Sequence, residues 1–329
     1  MKKGIIILLL VTLLFTFLAD SGSKESIVIC TSLEQFRNDA MQEQLNQRFP
    51  DYNIIVMYMA TGKAAAKVYA EGPSTEVDIL VGLETGYLNK LKGSLADISG
   101  ASRIPYAEGV TPADNGNLWV TWERQAGSII VNRTILDKYG LEAPTCYADL
   151  LKPEYKGLVA MPDPKSSGTG YIYLKSLVNA WGEDKAFDYF DKLSKNVMQF
   201  TSSGSGPINL LVQGEIAIAM GMTSQAVREQ QAGQPFEILF FEPGAPYTAC
   251  GYGIIEGKQD NPAVKEVFDF FYNTLVQEEK DQFLPEAIFK NQEMKVEGYP
   301  TDIPYADMAG NTAAEKERLL GIWNKKGIN

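Results

Sequence analysis

Two stretches of the chain gather small hydroxyl side chains and glycines just ahead of a helix. They are Ser166-Ser167-Gly168-Thr169-Gly170 and Thr201-Ser202-Ser203-Gly204-Ser205-Gly206, the second followed by Pro207. Proline suits the first helical turn, where its missing N–H is not needed. Ile208, Leu211 and Val212 then recur at helical spacing as far as Gln213, and Gly214 ends the run. A Ser/Gly loop at a helix N-terminus offers N–H and O–H donors and the positive end of the dipole, which is chemistry for holding an anion. A capped helix with no ligand accounts equally well for one such loop. The repetition favours a ligand.

Ser202, Ser203, Gly204 and Ser205 are the leading candidates for the grip. Ser166, Ser167, Gly168 and Thr169 follow, because a two-glycine turn permits close backbone approach. Thr223, Ser224 and Gln225 leave the short apolar run Ile216–Met220 and would read the rest of the solute. Thr31 and Ser32, and Thr61 and Gly62 ahead of Lys63, read either as helix caps or as contacts. Glu84 could accept from a solute hydroxyl or amine, or serve as an exposed cap. Tyr247 and Thr248 are lid candidates, and Trp122 reads as core before stacking platform. A helix N-terminus contributes about 0.3–1 kcal/mol toward an anion. A hydroxyl bond to a charged group adds about 1.5–3 kcal/mol before ordering costs. Roughly four or five such donors reach micromolar binding, about 8 kcal/mol, so the grip is expected to need no lysine or arginine.

The elements around these loops repeat strand, polar crest, helix. Ser26–Cys30 leads through Thr31-Ser32 into a helix from Leu33 to Phe49. Tyr52–Tyr58 leads to a helix opening at Thr61, and Val77–Val81 leads to a loop Gly82–Gly86 and a further helix. This is the signature of an open α/β sheet, whose ligands sit beyond the carboxyl ends of the strands. Leu118–Asn132 has two strand-like runs and no helix between them, and reads as a crossing into a second lobe; Gly244–Glu256 reads as the return. The expected organisation is an export segment at 1–22, one lobe from 23–123 and 254–329, and a second from 124–253. A tail helix, Ala313–Lys325, would close the first lobe. Two crossings make a hinge and a cleft.

At 329 residues, 45% hydrophobic and 22% charged, the chain has the composition of a globular protein with room for two lobes. A net charge of −11 with no basic stripe excludes nucleic acid as a partner. Met1-Lys2-Lys3 followed by apolar Gly4–Leu18 is an export signal, with cleavage near Ala19; the apolar run is only slightly short of a membrane span, so retention as an anchor stays open. Cys30, Cys146 and Cys250 have neither a disulfide-framework pattern nor metal spacing. There is no histidine, which removes the usual triad base and imidazole metal ligation. An exported hydrolase using Ser166, Ser203 or Ser205 therefore lacks its base. A sensor module using the same closure is a further alternative. No catalytic residue, metal or cofactor is expected.

The ordered set SIVICTSLE, ATGKAAAKV, VDILVG, GSIIVN, MPDPKSSGTGY, QFTSSGSGP, GEIAIAMG and YGIIEG-x-x-x-NP resembles the extracellular solute-binding proteins of ABC importers. Within them it is similar to the ferric-ion, phosphonate and hexose-phosphate-binding cluster. The resemblance covers nearly the whole chain after the export segment. It implies a two-lobed type II periplasmic-binding fold, acting as a monomer, that closes on a small solute and delivers it to a membrane permease. Ferric-binding relatives place two adjacent tyrosines where this chain has Met222-Thr223-Ser224. An iron site would have to recruit Tyr171, Tyr173, Tyr247 and Tyr252 instead. The His-Asp pair of hexose-phosphate relatives, and their acidic residue near Thr248, are absent. The phosphate-facing SSGTGY and TSSGSGP match.

Overall fold

The computed structural model describes residues 24–328 apart from 34, 101–105, 108–109, 111–115, 284–285, 291 and 294. The export segment at 1–22 lies outside the described residues. Three strand–helix units come first: β1 (Glu25–Thr31) and α1 (Gln35–Arg48), β2 (Tyr52–Tyr58) and α2 (Thr61–Glu71), β3 (Ile79–Glu84) and α3 (Thr85–Lys90). The apolar β1 pairs in parallel with β2 and β3, as strand–helix–strand connections require. β4 (Val120–Asn132) is a single strand of 13 residues where the sequence suggested two strand-like runs.

The chain then runs through α4 (Arg133–Tyr139), β5 (Val159–Pro162), α5 (Gly168–Trp181), α6 (Glu183–Ser194), β6 (Val197–Thr201), α7 (Gly206–Gln213), β7 (Ile218–Met222), α8 (Thr223–Gln231), β8 (Phe236–Leu239) and β9 (Tyr247–Ile254). α9 (Pro262–Phe270), a π-helical turn at Phe271–Leu275, α10 (Val276–Gln282) and α11 (Ala313–Lys326) complete it. Local chemistry sets these boundaries. Asn132 caps α4 by accepting from the Ile135 N–H, and Asn261 caps α9 ahead of Pro262. Gly214 ends α7 in the left-handed conformation, as expected.

The strands form one curled sheet in the order β2-β1-β3-β9-β4-β7-β5-β6, with β8 also on β4. β4 is the strand shared by its two halves. From Val120 to Ala126, β4 pairs with β9; from Gly127 onward it pairs with β7, and from Ile129 also with β8. The change of partner falls between Ala126 and Gly127. One apolar core gathers Ile27, Ile79, Trp122, Tyr252 and Phe268, and a separate one gathers Ile129, Tyr173, Phe187, Phe190 and Met220. Trp122 is thus core.

Three expectations are corrected. β3 does not end at Val81: a bulge carries it through Leu83, fully buried, to Glu84 opposite Cys250, so this segment is strand rather than loop. β7 runs two residues further along the chain than Ile216–Met220, and α8 begins at Thr223. The tail helix α11 joins the second core rather than closing the first lobe. Its Trp323 ring lies 5.3 Å from Phe190 and 6.1 Å from Phe200. The three cysteines are free thiols, and burial pushes Cys30 up to about 11. Among the described residues no helix is long and apolar enough to cross a membrane.

Candidate functional site

β5 and β6 run side by side in parallel, so the two Ser/Gly loops that follow them are neighbours although some thirty-five residues separate them in sequence. Their contact is direct: a Cβ on Gly204 would overlap the Thr169 hydroxyl, so only glycine lets the second loop lie on the first. In the first loop the N–H groups of Ser166 and Ser167 are spent on the Asp163 carbonyl. The opening N–H groups of α5, from Gly168 on, have no partner within the helix. Ser202, Ser203 and Ser205 are exposed, with Ser203 and Ser205 hydroxyls 3.3 Å apart, whereas Ser167 is buried.

A cleft of about 640 Å³ opens beside these loops, on the side of the sheet where β5, β6 and β7 end. Thr169, Gly204, Ser205, Ser224 and Gln225 line it. Gln225 sits within 3.5 Å of the Ser205 carbonyl, tying the start of α8 to the second loop. Ser224, Val227, Arg228 and Gln231 recur at helical spacing, so one face of α8 forms a wall of the cleft over its whole length. The far end of that wall is anchored by Gln231, which donates to the Glu297 carbonyl at 3.0 Å. The first half of the sheet contributes Phe36 and Arg37 from α1 and Gln125 from β4; Gln282 and Phe283 lie at the end of α10, with Val296 and Tyr299 beyond.

Other expected contacts fall elsewhere or are already satisfied. Thr31 is fully buried at the end of β1; its hydroxyl donates to Asn38 and accepts from the Leu33 N–H. Thr223 is also fully buried and bonds the Ser128 hydroxyl at 3.1 Å. Both hydroxyls are thereby withdrawn from a solute. Ser32 donates to the Gly82 carbonyl and accepts from Thr61, with Gly62 beside the Tyr87 ring. Glu84 and Thr248 line a separate small depression with Lys316, whose ammonium is 3.7 Å from Glu84. The two halves touch here, since a Cβ on Gly168 would lie 3.3 Å from the Glu84 carboxylate.

Sequence reasoning missed Phe36, Arg37, Gln125, Arg228 and Phe283. Arg37 is 2% exposed and bonds Glu279 at 2.6 Å and Glu123; Lys280 lies 3.4 Å from Glu279 and 3.9 Å from Glu123. Burial opposes ionisation of Glu123, but the Arg37 and Lys280 charges outweigh it and hold the carboxyl below its usual range. Gln125 donates to the same carboxylate at 2.6 Å. Arg228 differs: it is exposed, and its ionic neighbour Glu229 is 3.8 Å away. Arg228 thus adds an exposed cation to the cleft wall that the sequence reading did not use, whereas Arg37 lines the cleft with its guanidinium bound to Glu123 and Glu279. The described residues lining the cleft include no carboxylate.

Below the cleft, Glu286 is 1% exposed and accepts from the Ala126 N–H at 2.6 Å, from Tyr299 at 2.8 Å and from Tyr305 at 3.0 Å. Ala126 is the residue at which β4 changes partner. Burial raises this carboxyl to about 7, against the pull of its three donors and of Arg124. The tyrosines an iron site would need are dispersed. Tyr252 is in the first core, and Tyr173 donates to the Ser128 and Gly221 carbonyls. Tyr171 is buried, and Tyr247 packs on Tyr305.

Two half-sheets with separate cores, joined through β4 and flanking a polar cleft, define a two-lobed binding protein of the type II periplasmic class. The chain belongs to the bacterial extracellular solute-binding proteins, whose family model matches residues 83–295. These are binding proteins and not enzymes, which removes the hydrolase alternative. The chain is similar to the periplasmic binding protein AfuA of Actinobacillus pleuropneumoniae, solved with exogenous fructose-6-phosphate bound. The match has 27% identity and a TM-score of 0.76, and covers 92% of this chain and 98% of that one. It is 36% identical over 141 residues to an uncharacterized protein of Haemophilus influenzae, covering 43% of this chain and 41% of the relative. It is 24% identical over 208 residues to the spermidine/putrescine-binding periplasmic protein of Salmonella typhimurium, covering 62% and 52%. The chain thus spans about half the length of the curated relatives it matches.

Proposed function

We propose that this protein is the exported, monomeric capture component of an ABC importer, and that its solute is a small anion, a phosphorylated compound or a phosphonate. The observation that carries the reading is the polar part of the cleft wall: hydroxyls, the Gly204 backbone, neutral amides and two arginines, with no carboxylate among its described residues. That wall suits a negative guest. It is the wrong wall for a polyamine, whose ammonium groups need carboxylates. The fructose-6-phosphate held by AfuA is of the favoured chemical class. Thr169, Gly204, Ser205, Ser224 and Gln225 would contact the solute directly. Ser166, Gly168, Ser202 and Ser203 flank them on the same loops, while Ser32, Thr61, Gly62, Glu84 and Thr248 belong to the opposing rim. Arg228 would supply a charge-assisted bond, stronger than any neutral donor present.

Closure would pivot where β4 and β9 cross, moving 23–123 and the segment from 254 against 124–253, with α11 travelling alongside the second core. The closed form would then present its docking face to the permease. Calorimetric titration against inorganic phosphate, a phosphate-ester panel and simple phosphonates tests the anion. Micromolar binding of at least one member is expected, together with contraction of the particle in solution scattering; binding of putrescine or ferric ion with no response to any phosphate or phosphonate would overturn it.

A further inference from the structure

The cleft is far larger than an inorganic anion, and the part of its lining that an anion would not use has a definite character. Phe36, at the first turn of α1, is 48% exposed and out of phase with Met41 and Leu45, the apolar residues that α1 buries. It is a cleft residue, and its ring packs edge-to-face on Phe283, another cleft residue, with centroids 5.4 Å apart at 74°. Such a pair holds a ring in a fixed plane while leaving its remaining surface for a guest. Met222, Val227 and Val296 add further apolar surface. Polar groups among them are the neutral amides of Gln125, Gln225, Gln231 and Gln282, which both donate and accept.

We infer that the solute carries its anionic group on a flat unsaturated ring, with Phe36 as the platform against which that ring is held. The inference rests on the anion reading above and narrows it. A polyhydroxylated body would be gripped best by carboxylate acceptors, and the described residues of the cleft wall include none. A short alkyl body would gain apolar contact but could not use an aromatic face. A ring bearing heteroatoms or a carbonyl meets both the phenyl pair and the amides. About 12 Å separates the two ends of α8 at 1.5 Å per residue, which leaves room for a phosphoryl group near Ser205 and a ring beyond it.

Calorimetry with four probes tests this: inorganic phosphate, butyl phosphate, phenyl phosphate and a hexose 6-phosphate. Phenyl phosphate is expected to bind at least tenfold more tightly than butyl or hexose phosphate. Phe36→Ala should erase that advantage while inorganic phosphate binds as before, and Phe36→Leu, which keeps apolar area but no ring, should lose most of it. Because Phe36 is half exposed, both variants are expected to fold, and an unchanged unfolding transition checks that. Equal binding of phenyl, butyl and hexose phosphates, or a Phe36→Ala protein that keeps the preference, sinks the ring and leaves the anion standing. If no phosphate binds at all, the anion reading fails and takes this inference with it.

Discussion

Two polar regions border the cleft and are built on opposite principles. The rim at Thr169, Gly204, Ser205 and Ser224 consists of small neutral donors, of which Ser205 is openly exposed and the others partly so. The group formed by Arg37, Glu123, Glu279 and Lys280 has two positive and two negative side chains, all at most 5% exposed and bonded to one another. The first region has donors to spare. The second has saturated its own charges, and its geometry spans three elements: α1, β4 and α10. The contrast separates recognition from scaffolding: an open donor is available to a solute, whereas a closed ionic cluster fixes the walls that present it. Arg37 belongs to both, since it lines the cleft while its charge is spent behind it.

The largest expected effect is therefore on the closed cluster. Arg37→Ala leaves two buried carboxylates facing one ammonium, and removing one partner of a buried ionic group typically costs about 3–5 kcal/mol. Urea unfolding should show a loss of that size. A change below about 1 kcal/mol would mean that water replaces the guanidinium, and that the two regions differ less than their burial implies.

Glu286 provides a second test, of about 3 kcal/mol. Its carboxyl is raised by burial from 4.5 to about 7, with Arg124, Tyr299 and Tyr305 facing it. A raised acid keeps its proton in the folded state at pH values where the unfolded chain has lost it. Its stabilising contribution is full below pH 4.5 and is lost as pH climbs through 7, at about 1.4 kcal/mol per pH unit. Glu286→Gln should flatten the thermal-stability profile across that window. A variant whose slope matches the parent would assign the pH dependence elsewhere.

How much of this could be read in advance differs between the same two regions. The Ser/Gly loops are local patterns of hydroxyls, glycines and helix starts, and they lie where the α/β order places them. The boundaries of β2 were legible to the residue, because Tyr52–Tyr58 is an apolar run bracketed by Pro50 and by the helix start at Thr61. The closed cluster was not legible: Arg37 reads as a surface residue until its partners, 86 and 242 positions away, are known. The same holds for Glu286, whose backbone partner Ala126 is 160 positions distant. The apolar face of α11 announces that it must be buried, but only packing reveals that Phe187 and Phe190 cover Trp323. Thr31 and Thr223 show the reverse error, since a hydroxyl at a strand end looks open until the group that satisfies it is seen.

The smallest effects fall on the open rim, and they sort its members. Arg228 is exposed and has no short ionic partner, so Arg228→Gln should leave the unfolding transition unchanged. A hydrogen bond to a charged group contributes about 1.5–3 kcal/mol, so losing the guanidinium should weaken phosphate binding about tenfold or more and reduce its salt sensitivity. Ser205→Ala removes a neutral donor from a site with several others, and a shift of threefold to tenfold is expected, about 0.5–1.5 kcal/mol. If Ser205→Ala proves the more damaging of the two, the hydroxyl rim alone sets the affinity, and Arg228 acts at the mouth of the cleft by steering the anion inward. Stopped-flow association rates at two ionic strengths separate those cases: a steering residue changes the on-rate, while a contact residue changes the off-rate.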